Sequence, residues 1–193
     1  MKKFLYPTLV LSAICLVVSL ALSSANLITK DRIAKIEAEN TEKAMARVLE
    51  AEKYEKQTLE NNGEEKEYYT ALDGEQIKGY IFITSASGYG GEVKVMTAIL
   101  PDHTVKAVEI LDVSNETPGL GQNAKTESFY SQFSGLYGGI SVVKSGADRD
   151  MLQVNAITGA TITSRAVTKS VNEALTLAGI ILDGAEDENS EKQ

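Results

Sequence analysis

Apolar and polar positions divide the chain into stretches of different character. Residues 4–29 contain no charged side chain and are dominated by Leu, Val, Ala, Ile and Ser. A helix crossing hydrocarbon needs roughly 20 apolar residues, whereas the apolar part of a secretory signal is usually about 7–15 residues long. The length predicts a membrane anchor over residues 1–29, opening with Lys2 and Lys3. Signal cleavage stays open as a competing reading, because Ala21-Leu22-Ser23 and Ser23-Ser24-Ala25 offer small residues at a peptidase spacing. Against a lipoprotein, Ile14 stands where a small residue should precede Cys15.

Beyond the anchor, residues 31–67 are rich in Ala, Glu and Lys, with Ile33, Ile36, Val48, Leu49 and Leu59 as aliphatic positions. This pattern predicts a polar helical stalk over 30–67, closing in the solvated charge run Glu64-Glu65-Lys66-Glu67. The period then shortens. Residues 79–84, 93–100 and 105–113 read as strands, with turns at Gly88-Tyr89-Gly90-Gly91 and Pro101-Asp102. Residues 125–133 read as a short helix with Phe129 and Phe133 on one face, and 140–143 as a further strand. From about residue 164 to 178, Val167, Val171, Ala174, Leu175 and Ala178 return to a helical period, which Gly179 interrupts. The predicted fold class is α+β. A single mixed or antiparallel sheet with flanking helices occupies 68–182, and a disordered acidic tail occupies 183–193.

Composition narrows the function. A chain of 193 residues with 43% apolar side chains builds one modest core. Net charge of -8 and a pI near 4.8 leave no phosphate-tracking surface, so nucleic acid is not an expected partner. Cys15, the single cysteine, lies inside the anchor, so the rest of the chain forms neither an intramolecular disulfide nor a thiolate-held iron–sulfur cluster. Redox work therefore requires a borrowed cofactor. His103, the single histidine, sits in the turn composition of residues 101–104 and reads as a solvated turn residue, with a metal role second. No metal site is expected. Neither a nicotinamide fingerprint nor a nucleophile–His–acid set is present, so no catalytic residue is assigned. Lysines and arginines flank both ends of the anchor and do not decide its orientation. The signal-like N-terminus and cysteine-free remainder favour a single-pass cell-membrane protein with its domain on the extracytoplasmic side.

Candidate chemistry concentrates in Ile157-Thr158-Gly159-Ala160-Thr161-Ile162-Thr163-Ser164, directly before the last helix. The first N–H groups of a helix lack intrahelical partners and the macrodipole favours negative charge there, so a phosphate fits. Gly159 and Ala160 permit close approach, and Thr158, Thr161, Thr163 and Ser164 can donate hydrogen bonds. On residue types alone the alternative is an ordinary helix start with Thr163 or Ser164 as N-cap.

A resemblance adds to this. Thr158-Gly159-Ala160-Thr161 is similar to the motif at which a flavin transferase attaches FMN through a phosphoester. That motif occurs in the G subunit of Rnf-type ion-translocating electron transport complexes and in the C subunit of the sodium-translocating NADH:quinone reductase. Glu116-Thr117-Pro118-Gly119-Leu120-Gly121 resembles a second signature of these families, and Gly88-Tyr89-Gly90-Gly91 with the following strand resembles their glycine-rich turn. The resemblance implies Thr161 as the covalent acceptor, with Thr158, Gly159, Ala160, Thr163 and Ser164 shaping the phosphate pocket. It also implies that Glu116, Thr117, Gly119 and Leu120 line the flavin, Leu120 by apolar contact. Pro118-Gly119 equally suits a type II turn, and both readings can hold. The transferase motif usually has an aspartate three residues before the Thr158 position. Asn155 stands there, keeping the acceptor oxygen and losing the charge, which implies slower or absent flavin attachment if that charge is needed for transferase recognition or for a metal.

The function so implied is an electron-carrier subunit with covalent FMN in a membrane-bound, ion-translocating ferredoxin:NAD oxidoreductase of Rnf type. Its partners would be the integral membrane and iron–sulfur subunits of that complex, and the flavin transferase. The compact chain favours Rnf over the related quinone reductase. Readings outside that class are a stand-alone extracytoplasmic flavin carrier and a flavin-free scaffold module.

Overall fold

The computed structural model describes residues 2–61 and 63–190. The chain divides into two compact units, residues 1–43 and 44–193. Helix α1 (Lys2–Val48) supplies the first unit, and its last residues belong to the second. Within it, Tyr6–Lys30 is a 25-residue apolar run of mean hydropathy 2.2. At 1.5 Å per residue that is about 38 Å, longer than the roughly 30 Å of a bilayer's hydrocarbon core. Leu9, Leu11, Leu16, Val17 and Leu22 are exposed along it. Two of its hydroxyls bond within the helix, Ser24 Oγ donating to the Leu20 carbonyl at 2.8 Å and Thr29 Oγ1 to that of Ala25 at 2.8 Å.

The helical stalk expected over 30–67 is helical only to Val48. Residues Lys53–Asn61 (β1) and Glu64–Asp73 (β2) form an antiparallel hairpin instead. Asn62-Gly63, a dipeptide suited to two-residue hairpin loops, separates them in sequence, and Gly63 has φ +80°. Helix propensity lost here because β1 gains a full ladder of partners on β2, with cross-strand ion pairing of Lys56 to Glu67 at 2.7 Å.

The hairpin opens a five-stranded antiparallel meander completed by β3 (Gln76–Ser87), β4 (Glu92–Ile99) and β5 (Val105–Asp112), in the order β1-β2-β3-β4-β5. The three strands expected from alternation correspond to β3, β4 and β5. Side-chain alternation gives the sheet two apolar faces. Ala71, Ile81, Met96 and Ala98 pack with Ala44, Met45 and Val48 from the end of α1 and with Leu49 just after it. Tyr68, Tyr80, Phe82, Val93, Val95, Val108 and Ile110 face the other way, toward α3 (Thr161–Ser190).

Between sheet and α3 the chain forms a 3-10 turn at Gly121–Lys125, α2 (Glu127–Tyr130), a second 3-10 turn at Ser131–Phe133, and a parallel pair of β6 (Ser141–Val143) and β7 (Gln153–Asn155). The single helix expected over 125–133 is thus a broken one. Phe129 and Phe133 nevertheless share a face, their rings edge-on at 5.7 Å, and both enter the core.

Helix α3 buries Ala166, Val167, Val171, Ala174, Leu177 and Ala178, while Leu175 is only half-buried. It does not stop at Gly179 but runs through Ser190, so residues 183–190 of the expected disordered tail are helical; residues 191–193 lie outside the described residues. The hairpin explains the extension: Leu59 and Tyr68 pack with Leu177, Ile181 and Leu182, and Lys66 lies 3.5 Å from Glu173. One helical glycine costs about 1 kcal/mol, which this apolar contact offsets.

Candidate functional site

The segment after β7 turns into α3 through Gly159, whose φ is +77°. A Cβ there would lie 3.0 Å from Leu120 Cδ2, so a side chain would displace Leu120. Helix α3 begins at Thr161, two or three residues before the N-cap expected at Thr163 or Ser164. Ser164 closes the turn instead. Its hydroxyl donates to the Ala160 carbonyl at 2.9 Å and accepts the Ile157 N–H at 2.9 Å. Thr163 Oγ1 donates to Glu116 Oε2 at 2.6 Å.

Of the four hydroxyls around this helix start, two are therefore committed to the fold. Thr158 and Thr161 make no hydrogen bond among the described residues. Thr158 is exposed and Thr161 half-buried.

Glu116 was expected to line a ligand, yet its side chain is 2% exposed and turned inward. Beyond Thr163 it accepts the Gly90 N–H at 3.0 Å. A Cβ on Gly88 or Gly121 would overlap its carboxylate, and one on Gly90 would overlap the Asn115 carbonyl. Gly88 and Gly121, one from each motif, thus wrap a buried carboxylate. Burial alone would raise the Glu116 pKa, but the Thr163 hydroxyl and the N–H groups of Gly90, Tyr89 and Gly91 outweigh it and hold the carboxyl below its ordinary value. The glutamate ties the 88–91 turn to the first turn of α3.

Thr117–Leu120 forms the anticipated turn, with the Leu120 N–H donating to the Thr117 carbonyl at 3.1 Å and Gly119 at φ +74°, as type II requires at its third position. Thr117 is exposed, and Leu120 is 40% exposed beside Gly159. Gly119 and Thr158 both line a cleft of about 710 Å³, with Asn123, Thr126, Ser128, Phe129, Gln132, Asn155, Ala156 and Ile157. Most of these wall residues escaped sequence reasoning. The available signal was the run of small polar residues between the Pro-Gly turn and Phe133.

Gln132 joins the two walls. Its Oε1 accepts the Asn155 N–H at 2.8 Å, and its Nε2 donates to the carbonyls of Phe129 and Asn155, each at 3.3 Å. Asn155 Oδ1 accepts the Ala147 N–H at 3.0 Å, the acceptor role an aspartate would also fill. His103 is a turn residue with φ 65°, its ring 4.0 Å from the Asp183 carboxylate and at the edge of a separate groove of about 490 Å³ along α3. None of the motif residues lines that groove.

The model of the FMN-binding domain family matches residues 88–176, which contain all three motifs and both walls of the larger cleft. The G subunit of the proton-translocating ferredoxin:NAD(+) oxidoreductase complex of Clostridium ljungdahlii is 41% identical over 111 residues, 57% of this chain and 58% of that protein. Its counterpart in the Na(+)-translocating ferredoxin:NAD(+) oxidoreductase complex of Acetobacterium woodii is 33% identical over 183 residues, 86% of this chain and 87% of that protein. The chain belongs to the G-subunit family of ion-translocating oxidoreductase complexes. Its fold is shared with a solved structure, the C subunit of the Na(+)-translocating NADH-quinone reductase of Parabacteroides distasonis. That match has a TM-score of 0.52 at 23% identity and spans 61% of this chain and 62% of that one. For this G-subunit family member FMN is the cofactor of the matched domain, and the N-terminal apolar helix suits association with a membrane.

Proposed function

We propose that the chain is an electron carrier of a membrane-bound, ion-translocating ferredoxin:NAD oxidoreductase complex, holding FMN through a phosphoester on Thr161. The observation that carries the attachment point is the inequality of the four hydroxyls. Thr163 and Ser164 are locked into internal bonds, Thr158 is exposed in a loop, and Thr161 is an unengaged hydroxyl on the first residue of a long helix. The donor set suits the group. The start of α3 suits a phosphate, Gly159 leaves room against Leu120, and the cleft combines the half-buried Ile157 with amides and hydroxyls that match the two-sided character of a flavin ring.

Bound FMN supplies one- and two-electron redox chemistry. The protein's part is to hold the ring in one orientation, with Gln132 keeping the cleft walls in register and Glu116 fixing the helix that carries the attachment point. A covalent bond also prevents loss of cofactor on the extracytoplasmic side of the membrane, where Tyr6–Lys30 as a single span would tether the domain. Other members of the complex, including iron–sulfur and integral membrane proteins, would exchange electrons with it, and a flavin transferase would load it.

Denaturing electrophoresis of protein from the native host tests this. A band fluorescent under ultraviolet light is expected for the wild type and lost in Thr161→Ala, with the flavin mass on the peptide containing Thr161. A dark wild-type band overturns the covalent reading. A fluorescent band that never copurifies with integral membrane partners assigns the chain instead to a stand-alone carrier.

A further inference from the structure

Charge along α3 is ordered against its own dipole. The helix macrodipole favours acidic side chains near the N-terminus and basic ones near the C-terminus. In α3 the first three turns carry Arg165 and Lys169 with no carboxylate, while Glu173, Asp183, Glu186, Asp187 and Glu188 all follow. An isolated helix gains nothing from this order. An anion held at the start of α3 reverses the sign of the effect.

Arg165 is the group best placed for such an anion. Residues 44–190 contain three arginines. Arg47 is paired with Glu109 at 2.6 Å, and Arg149 donates to the carbonyls of Gln132 and Ser134. Arg165 is exposed and has neither hydrogen bond nor ion pair among the described residues. It follows Thr161 by four positions, so the two share a helix face with Cβ atoms about 5–6 Å apart. Side chains on a helix lean toward its N-terminus, so from position 165 a guanidinium has the reach to cover the turn bearing Thr161. The carboxylate of Glu116 does not compete. It is bonded to Thr163, two residues on from Thr161 and so about 200° around the helix axis, and is buried there.

We propose that Arg165 is a positioning residue for the cofactor, its guanidinium binding the phosphodiester oxygens of the flavin attached at Thr161 and so limiting the swing of the tether. This rests on the attachment proposed above. A guanidinium offers two parallel N–H donors to two phosphate oxygens, so it fixes orientation as well as charge, whereas an ammonium supplies charge alone. Lys169, a further turn along, is the matched control.

The test uses the full chain in detergent, flavinylated in the host, as wild type, Arg165→Gln, Arg165→Lys and Lys169→Gln. Phosphorus NMR reads the tether and potentiometry reads the flavin at low and high salt. Arg165→Gln should move the phosphodiester resonance and lower the flavin midpoint potential, with a weaker salt dependence than wild type. Arg165→Lys should restore the potential but not the resonance, and Lys169→Gln should leave the resonance unchanged. A resonance and a potential in Arg165→Gln matching those of wild type overturn the proposal. Absence of flavin phosphorus from the wild-type Thr161 peptide overturns the attachment itself, a separate result.

Discussion

Replacing Glu116 by Gln probes the junction that holds the motifs together. The carboxylate accepts charge-assisted hydrogen bonds from Thr163 Oγ1 at 2.6 Å and from Gly90 N–H at 3.0 Å, with weaker support from the Tyr89 and Gly91 N–H groups, in a site where the residue is 2% exposed. Such bonds contribute about 1.5–3 kcal/mol each, against about 0.5–1.5 for neutral ones. A glutamine keeps both contacts in neutral form, its oxygen toward Gly90 and its amide toward the Thr163 oxygen. The expected loss at neutral pH is therefore about 2–3 kcal/mol. Because the folded pKa of Glu116 is depressed, its contribution is fully present above the unfolded value of about 4.3 and fades as pH falls through the folded value. Urea unfolding of the flavin-free chain checks this through the fluorescence of buried Tyr68 and Tyr80, in a chain without tryptophan. The gap between wild type and Glu116→Gln should be widest near neutral pH and close in acid. Equal stabilities at neutral pH, or a gap that persists unchanged in acid, would refute the reasoning.

Three further outcomes follow from single contacts. Gly159→Ala places a Cβ at φ +77° and 3.0 Å from Leu120, so stability should fall by about 1–2 kcal/mol and in-gel flavin fluorescence should weaken; unchanged fluorescence would separate this turn from the flavin. Asn155→Asp retains the acceptor for the Ala147 N–H, so stability should change by less than about 0.5 kcal/mol, while the time course of flavin attachment quickens. An unaltered time course would show that the transferase does not read the charge. Leu59→Ala removes the hairpin's contact with the end of α3, so hydrogen exchange after Ala178 should accelerate while that of residues 161–175 holds.

The legible features were those whose cause is local. An uncharged run of spanning length, strands alternating beside glycine turns, and a Pro-Gly pair all act through neighbours in the chain, and β3, β4, β5 and the type II turn stand where they were anticipated. The β1–β2 hairpin was hidden because charged residues break up its apolar positions, Tyr54, Leu59, Tyr68 and Ala71, so no clear alternation stands out and its strand character comes from pairing. Gly179 and the acidic residues after it carry the mark of a helix end. That local preference yields to Leu59 and Tyr68, which lie more than a hundred residues away in sequence.

The same division runs through the site. Residue types alone placed hydroxyls, a glycine and a helix start together, since adjacent residues in a chain must be close in space. They did not distinguish Thr161 from Thr163 or Ser164, because a hydroxyl's availability depends on what else lies within bonding distance. Nor did they show that Glu116 faces inward, a matter settled by glycines 28 residues before it and 5 after it closing around its carboxylate. Chain connectivity determined which groups gather at the start of α3, and only tertiary packing decided which of them the fold consumes and which it leaves free for chemistry.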